Sequence, residues 1–162
     1  MNYYHYTKKK LSLQDIKDVP QKEPESSVAF KPSGLWISVE DDWKEWNQAS
    51  EFLDLDTYYC YQVEIIPGNI LWLNSAWSIL EFISKYKQAN GKYEYIQHID
   101  WMKVAVDYQG VIMTDYDRSL YWNTSLFGNS LWYSVWDCRS GCIWNKEAVS
   151  DIILHSSPRK HQ

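Results

Sequence analysis

Gly34-Leu35-Trp36-Ile37-Ser38-Val39-Glu40-Asp41-Asp42-Trp43-Lys44-Glu45-Trp46 is the stretch that decides the fold. Its first six residues follow a Pro-Ser-Gly turn and are rich in apolar, aromatic and β-branched side chains, which predicts a short strand over 34–39. Three acids then stand where the positive end of a helix favours negative charge, and Trp43, Trp46 and Phe52 follow at helical spacing. A strand running directly into an amphipathic helix implies a domain in which sheet and helix share one core.

Upstream, residues 2–6 are aromatic and extended in character and read as a first strand. Ser12 is placed to cap a helix from Leu13 to about Val19 with Leu13 and Ile16 inward, ended by Pro20. Pro20 to Pro32 reads as a loop. Downstream, the expected elements are a strand over Tyr58 to Ile66, a Pro67-Gly68-Asn69 turn, a strand over Ile70 to Leu73, and a helix from Ala76 to about Lys87. Asn74 or Ser75 would cap that helix, with Trp77, Leu80, Phe82 and Ile83 on its apolar face. Asn90-Gly91 marks a turn, and Asp100 can cap a helix over Trp101 to Tyr108 that Gly110 stops. Val111 to Met113, Leu131 to Trp136 and Gly141 to Trp144 are strand candidates, Lys146 to Leu154 reads as a terminal helix, and 156–162 as a polar tail. No repeat interrupts this order, so residues 1–155 are expected to form one α+β domain.

The chain of 162 residues carries a net charge of −5 with only three arginines, which leaves little from which to build a broad phosphate-binding face and argues against non-specific nucleic-acid binding. Its apolar runs are too short to span a bilayer, and Met1 to Tyr6 lack the pattern of a secretory leader, so a cytoplasmic protein with no membrane partner is expected. Cys60, Cys138 and Cys142 form an odd set without histidines at ligand spacing, hence neither a disulfide nor a metal site is expected. Ten Trp and thirteen Tyr are the anomaly of the composition. Much of that aromatic surface must be core packing, yet each ring also carries an N–H or O–H that needs a partner, which suits a cleft for flat rings.

Three segments together carry a resemblance to a family. Tyr4-His5-Tyr6-Thr7, the Gly34 to Ser38 strand with its following Trp helix, and Ser140-Gly141-Cys142-Ile143-Trp144-Asn145 resemble, in this order, the motifs of diphtheria-toxin-like and poly(ADP-ribose)-polymerase-like ADP-ribosyltransferases. The resemblance covers residues 3–46 and 132–150. It implies a split β-sheet with flanking helices and NAD in the cleft between the halves. The implied activity is mono-ADP-ribosyl transfer from NAD to a macromolecular acceptor, with release of nicotinamide.

By the same resemblance His5 holds the adenosine ribose, and the backbone beside it grips the nicotinamide amide, bringing Tyr6 and Thr7 into the cofactor site. An imidazole suits that task because one ring nitrogen donates while the other accepts. The alternative for His5 is a strand histidine tied to a neighbouring carbonyl. Trp46, then Trp43, then Trp36 are the candidates to stack on nicotinamide where the family has Tyr, with Ser38 beside them. Ser140 falls where the family has its catalytic Glu, so Asp137, at the end of the expected 131–136 strand, is the acid expected to substitute, with Asp137 or Ser140 orienting the ribose hydroxyl, while Glu147 is assigned to the last helix. The competing readings are a relative that binds NAD or ADP-ribose without transfer, and an aromatic platform for a glycan or peptide, which would show its tryptophans on a flat face.

Overall fold

In the computed structural model, which describes residues 1–22, 30–88, 98–122 and 131–159, seven strands join in one mixed sheet. They are β1 (Tyr3–Thr7), β2 (Leu35–Val39), β3 (Tyr59–Ile65), β4 (Ile70–Leu73), β5 (Gly110–Met113), β6 (Ser140–Ile143) and β7 (Val149–Ser156), in the spatial order β4-β5-β6-β2-β1-β3-β7. Only β4 and β5 run parallel, joined through α2 (Ala76–Tyr86) and α3 (Trp101–Asp107). Helix α1 (Asp42–Ser50) follows β2, and two short helical turns, α4 (Arg118–Trp122) and α5 (Leu131–Ser134), precede β6. The α+β class read from the sequence is therefore present. In place of a sheet split into halves, hydrogen bonding connects all seven strands. The sheet parts locally between β1 and β2, whose ladder holds only Tyr3↔Val39 and Tyr4↔Ser38 before β1 continues on β3 alone.

Side chains alternate across the sheet and feed two cores. Leu73, Val111, Met113 and Cys142 face a ring-rich core with Ile79, Phe82, Tyr86, Trp101, Trp132 and Tyr133 from the helices and Trp136 from the turn after α5. Ile37, Val39, Val63, Ile112 and Ile143 face a smaller core with Ala148 and Val149, against which Ile16 packs.

Several sequence expectations are corrected. The stretch after Ser12 makes a single 3-10 turn, Leu13–Asp15, after which the chain is extended: Ile16 packs on the sheet and the Val19 N–H donates to Trp144 O at 2.8 Å. The 131–136 strand is instead helical at α5, because Trp132 and Trp136, one turn apart, both enter the ring core. The terminal helix is β7: its β-branched Val149, Ile152 and Ile153 pair with the otherwise open edge of β3, in a ladder with two register shifts. The tail is held in part, since Arg159 donates its N–H to Asp56 O and its guanidinium reaches the Asp56 carboxylate.

Helix α2 is rotated from its expected face. Ile79, Phe82, Ile83 and Tyr86 are buried while Trp77 is 69% exposed. Ser75 caps it, exchanging bonds with Ser78. Helix α4 occupies what read as loop. The Asn90-Gly91 turn, most of the Pro20 to Pro32 loop and the last three residues of the tail fall outside the described residues.

Strand β6 lies between β5 and β2 with Gly141 at its centre. A Cβ there would stand 2.8 Å from Ile112 Cγ1 and 2.9 Å from Val111 O. Gly141→Ala is expected to destabilise the fold by about 1–3 kcal/mol through forced side-chain and backbone shifts. Thermal unfolding checks this, with a midpoint several degrees below that of the parent protein as the expected result.

Candidate functional site

The sequence of α1 sets one wall of a cleft. The Ser38 hydroxyl, at the end of β2, accepts from Trp43 N–H at 3.0 Å and donates to Glu40 O, acting as the helix cap that Asp41 does not supply. Asp42, expected only to face the helix dipole, accepts two bonds from the Arg139 guanidinium at 2.6 and 2.8 Å and a third from Arg139 N–H at 3.2 Å. This fork ties the first turn of α1 to the chain entering β6.

Opposite α1, Trp136-Asp137-Cys138 makes a three-residue turn closed by Cys138 N–H to Trp136 O at 2.7 Å, with Asp137 at φ 66°. A non-glycine residue in the left-handed region stores strain, and such positions cluster at functional sites. The cleft between these walls has a volume of about 540 Å3 and is bordered by Trp36, Trp43, Trp46, Trp136, Asp137 and Ser140, among others. That size lies within the usual range for small-molecule sites. Trp46 and Asp137 also border a second cavity of about 420 Å3 with Tyr116, Arg118 and Trp122.

Five of the residues singled out from the sequence thus meet in one place: Trp36, Trp43, Trp46, Asp137 and Ser140. His5, Tyr6, Thr7 and Ser38 do not border the cleft. His5 sits where β1 leaves β2 and donates from Nδ1 to Trp36 O at 2.7 Å, the carbonyl-tied strand histidine weighed above. That bond makes Nε2 the accepting nitrogen of the neutral ring, and Nε2 has no partner among the described residues. The Tyr6 ring lies 6.2 Å from that of Trp43, and Thr7 Oγ1 accepts from Lys9 N–H in a turn. Glu147 lies exposed in a 3-10 turn, Lys146–Ala148, outside the cleft. The cleft's indoles are half-buried or buried around a concavity, so they form no flat platform.

Sequence reasoning missed Lys31, Asn47, Phe52, Trp136 and Cys138, which complete the lining. Asn47 was findable as the residue one helical turn after Trp43. Lys31, in a Pro-bounded loop, gave no signal. Its ammonium lies 5.2 Å from the centre of the Trp36 ring, and its pKa is lowered by burial against the neighbouring attraction of Asp137. Burial pushes the Cys138 thiol up to about 12, with Asp42 and Asp137 adding to the effect, and raises Cys142 as well. Both stay protonated near neutral pH, so neither supplies a thiolate nucleophile. Among the described residues, no group of His, Cys, Asp and Glu could hold a metal ion, and no helix is long and apolar enough to cross a membrane. No protein-family model, curated protein or solved structure matches the chain, so its reading rests on this geometry.

Burial holds the His5 pKa below its ordinary 6.5, with the bond to Trp36 O opposing the shift. The unfolded chain then takes up the proton first as pH falls, so stability from a neutral His5 is complete above about pH 6.5 and is lost as pH falls toward the folded value. The thermal midpoint is expected to fall between about pH 7.5 and pH 5.5. In His5→Gln, which retains a donor for Trp36 O, that fall shrinks to what His98, also lowered by burial, contributes.

Proposed function

We propose that the cleft binds NAD and that the protein transfers one ADP-ribose from it to a nucleophile on a macromolecule. One observation carries this reading: two of the three segments that resemble ADP-ribosyltransferase motifs, Trp36 to Trp46 and Ser140 with the turn before it, border one cleft, and the strands bearing all three motifs lie side by side as β1, β2 and β6. The continuous sheet departs from the split sheet that the resemblance implies, but the parting of β1 from β2 at His5 lies next to Trp36 and hence next to the cleft.

In this reading Trp46 and Trp43 stack on nicotinamide and exclude water from the glycosidic bond. His5, outside the lining, positions the Trp36 wall through its bond to Trp36 O. Asp137 faces the sugar from its strained turn and stabilises positive charge as the bond between C1′ and the pyridinium nitrogen breaks. The bonding electrons leave with nicotinamide, which departs neutral. The acceptor's lone pair forms the new bond to C1′, and its proton passes to the Asp137 carboxylate and then to water.

A second reading has its own observation. Ser140, where the resemblance implies Glu, is neutral, buried and donates to Cys138 O at 3.1 Å, so it can offer no negative charge to the sugar. A protein of this kind would bind NAD or ADP-ribose without transferring it.

Incubation with labelled NAD and cell lysate separates the two, since transfer yields labelled macromolecules and simple binding gives only thermal stabilisation by NAD. On the first reading Asp137→Asn is expected to lower labelling about 10²-fold while NAD still stabilises the protein, and Trp46→Ala to weaken that stabilisation. Labelling by Asp137→Asn equal to the parent's removes the carboxylate from the mechanism. A parent protein that NAD neither stabilises nor labels with ends the proposal.

A further inference from the structure

Strand β7 is the longer of the sheet's two edges, eight residues against four in β4. Among the described residues no backbone bond other than its ladder with β3 reaches it. Natural sheets guard such an edge with lysine, proline, bulges or a covering segment. Val149–Ser156 contains neither lysine nor proline, and it leaves Ile153 and Leu154 45% and 51% exposed. Its register shifts against β3 lie toward its two ends, so Asp151 to Leu154 form a regular stretch opposite Glu64 to Tyr61. The Ile152 N–H donates to the carboxylate of its own neighbour Asp151 at 2.8 Å, which places that N–H on the outer side. Peptide groups alternate in direction along an antiparallel ladder, so Leu154 presents its N–H and C=O outward as well.

The sequence of this edge is complementary to itself. Two copies joined edge to edge about a two-fold axis run antiparallel, and the axis stands normal to the sheet, so residues that meet must lie on the same face. Centring the axis on Asp151 sets two anions together. Centring it on Ile152 sets Asp151 against Ile153, and centring it on Leu154 sets Ile153 against His155. Centring it on Ile153 matches like with like: Ile153 meets Ile153, Ile152 meets Leu154, Asp151 meets His155 and Ser150 meets Ser156.

In that register Ile152 and Leu154 exchange their outward N–H and C=O bonds. Ile153 and the Asp151 and His155 pairs then occupy the positions where side chains approach most closely. His155 already stands on the required face: its ring lies 5.1 Å from that of Tyr4, and Tyr4, Gln62 and Ile153 are in register across β1, β3 and β7. Within its own sheet Asp151 stands opposite another acid, Glu64, a repulsion that a donor from the second copy offsets. The same imidazole replaces the Ile152 N–H that the carboxylate gives up when the ladder forms.

We propose that β7 is the interface of a homodimer. A second copy of this chain pairs antiparallel along it in the register centred on Ile153, and the Asp151 carboxylate of each copy accepts from His155 of the other. This assignment is independent of the NAD reading. Trp36 and Ile153 belong to one face of the sheet, so both indole clefts lie on the same side of the joined sheets. With only the middle of the strand regular, the contact is small and the expected dissociation constant is about 1–100 µM.

Sedimentation equilibrium of the whole protein tests this. The parent is expected to pass from monomer to dimer between about 1 µM and about 300 µM and to form nothing larger, because a two-fold contact closes on itself. Ile153→Lys puts two ammonium groups together at the axis, at a half-exposed position that the fold tolerates, and should stay monomeric over the whole range. His155→Asp sets acid against acid at both ends of the ladder and should weaken the dimer about tenfold. Adding Asp151→His to it restores both pairs in reverse and should return the dissociation constant to within about threefold of the parent's. Thermal unfolding shows that each variant is folded. A parent that stays monomeric, assembly beyond a dimer, a dimer that survives Ile153→Lys, or a double variant no tighter than His155→Asp each overturns the assignment.

Discussion

Strand β6 is hydrogen-bonded along both edges, to β2 from Ser38↔Ser140 through Leu35↔Ile143 and to β5 from Met113↔Ser140 through Gly110↔Ile143. The double pairing is possible because the central residue is Gly141, whose flanks already approach the space a Cβ would occupy. Much else is set by this register. It faces Cys142 toward the ring core and Ile143 toward the smaller one, so both faces of the sheet are closed around the same four residues. It brings Ser140 level with Ser38 at the end of β2. It also delivers the preceding turn, with Asp137 at its apex, to the mouth of the cleft.

What faces that turn depends on α1, and α1 has no large apolar stripe of its own. Asn47 is its one fully buried residue, and the helix is held chiefly by polar ties at its start. The Ser38 hydroxyl satisfies one of the free N–H groups of the first turn, and the fork between Asp42 and Arg139 joins that turn to the root of β6. The Arg139 side chain is 38% exposed, so the pair contributes on the order of 1 kcal/mol or less to stability. Its consequence is geometric: two sides of the cleft that belong to different parts of the chain are kept in one orientation by a planar, two-bond contact.

The sequence disclosed this structure unevenly, for physical reasons. The strand over 34–39, the helix after it and the strand over Ile70 to Leu73 were legible because local pattern and tertiary environment agree there. Residues 131–136 and 146–154 were not. Trp132 and Trp136 are compatible with a strand or a helix in so short a run, and the choice was made by a core that only the folded chain possesses. Val149 to Ser156 took its form from the open edge of β3, a partner distant in sequence. Within the site, aromatic residues and acids could be picked out by type. Lys31 could not, since a lysine in a loop acquires meaning only from what surrounds it, and Asn47 only through its place one helical turn after Trp43.

The charges around the cleft limit the chemistry open to it. Cys138 is held protonated, His5 is pushed toward the neutral imidazole, and Ser140 spends its proton on a backbone carbonyl. Among the described residues Asp137 is then the one carboxylate bordering the cleft, close enough to the Lys31 ammonium to attract it. A site with a single carboxylate, no thiolate and walls of indole is poorly equipped to build a strong nucleophile. It is better suited to shielding a ring and stabilising cationic character as that ring departs, because aromatic faces and one anion both favour positive charge. On the proposed reading this matches what cleaving NAD requires, since the positively charged pyridinium is already a good leaving group and the transition state places its charge on the sugar beside it.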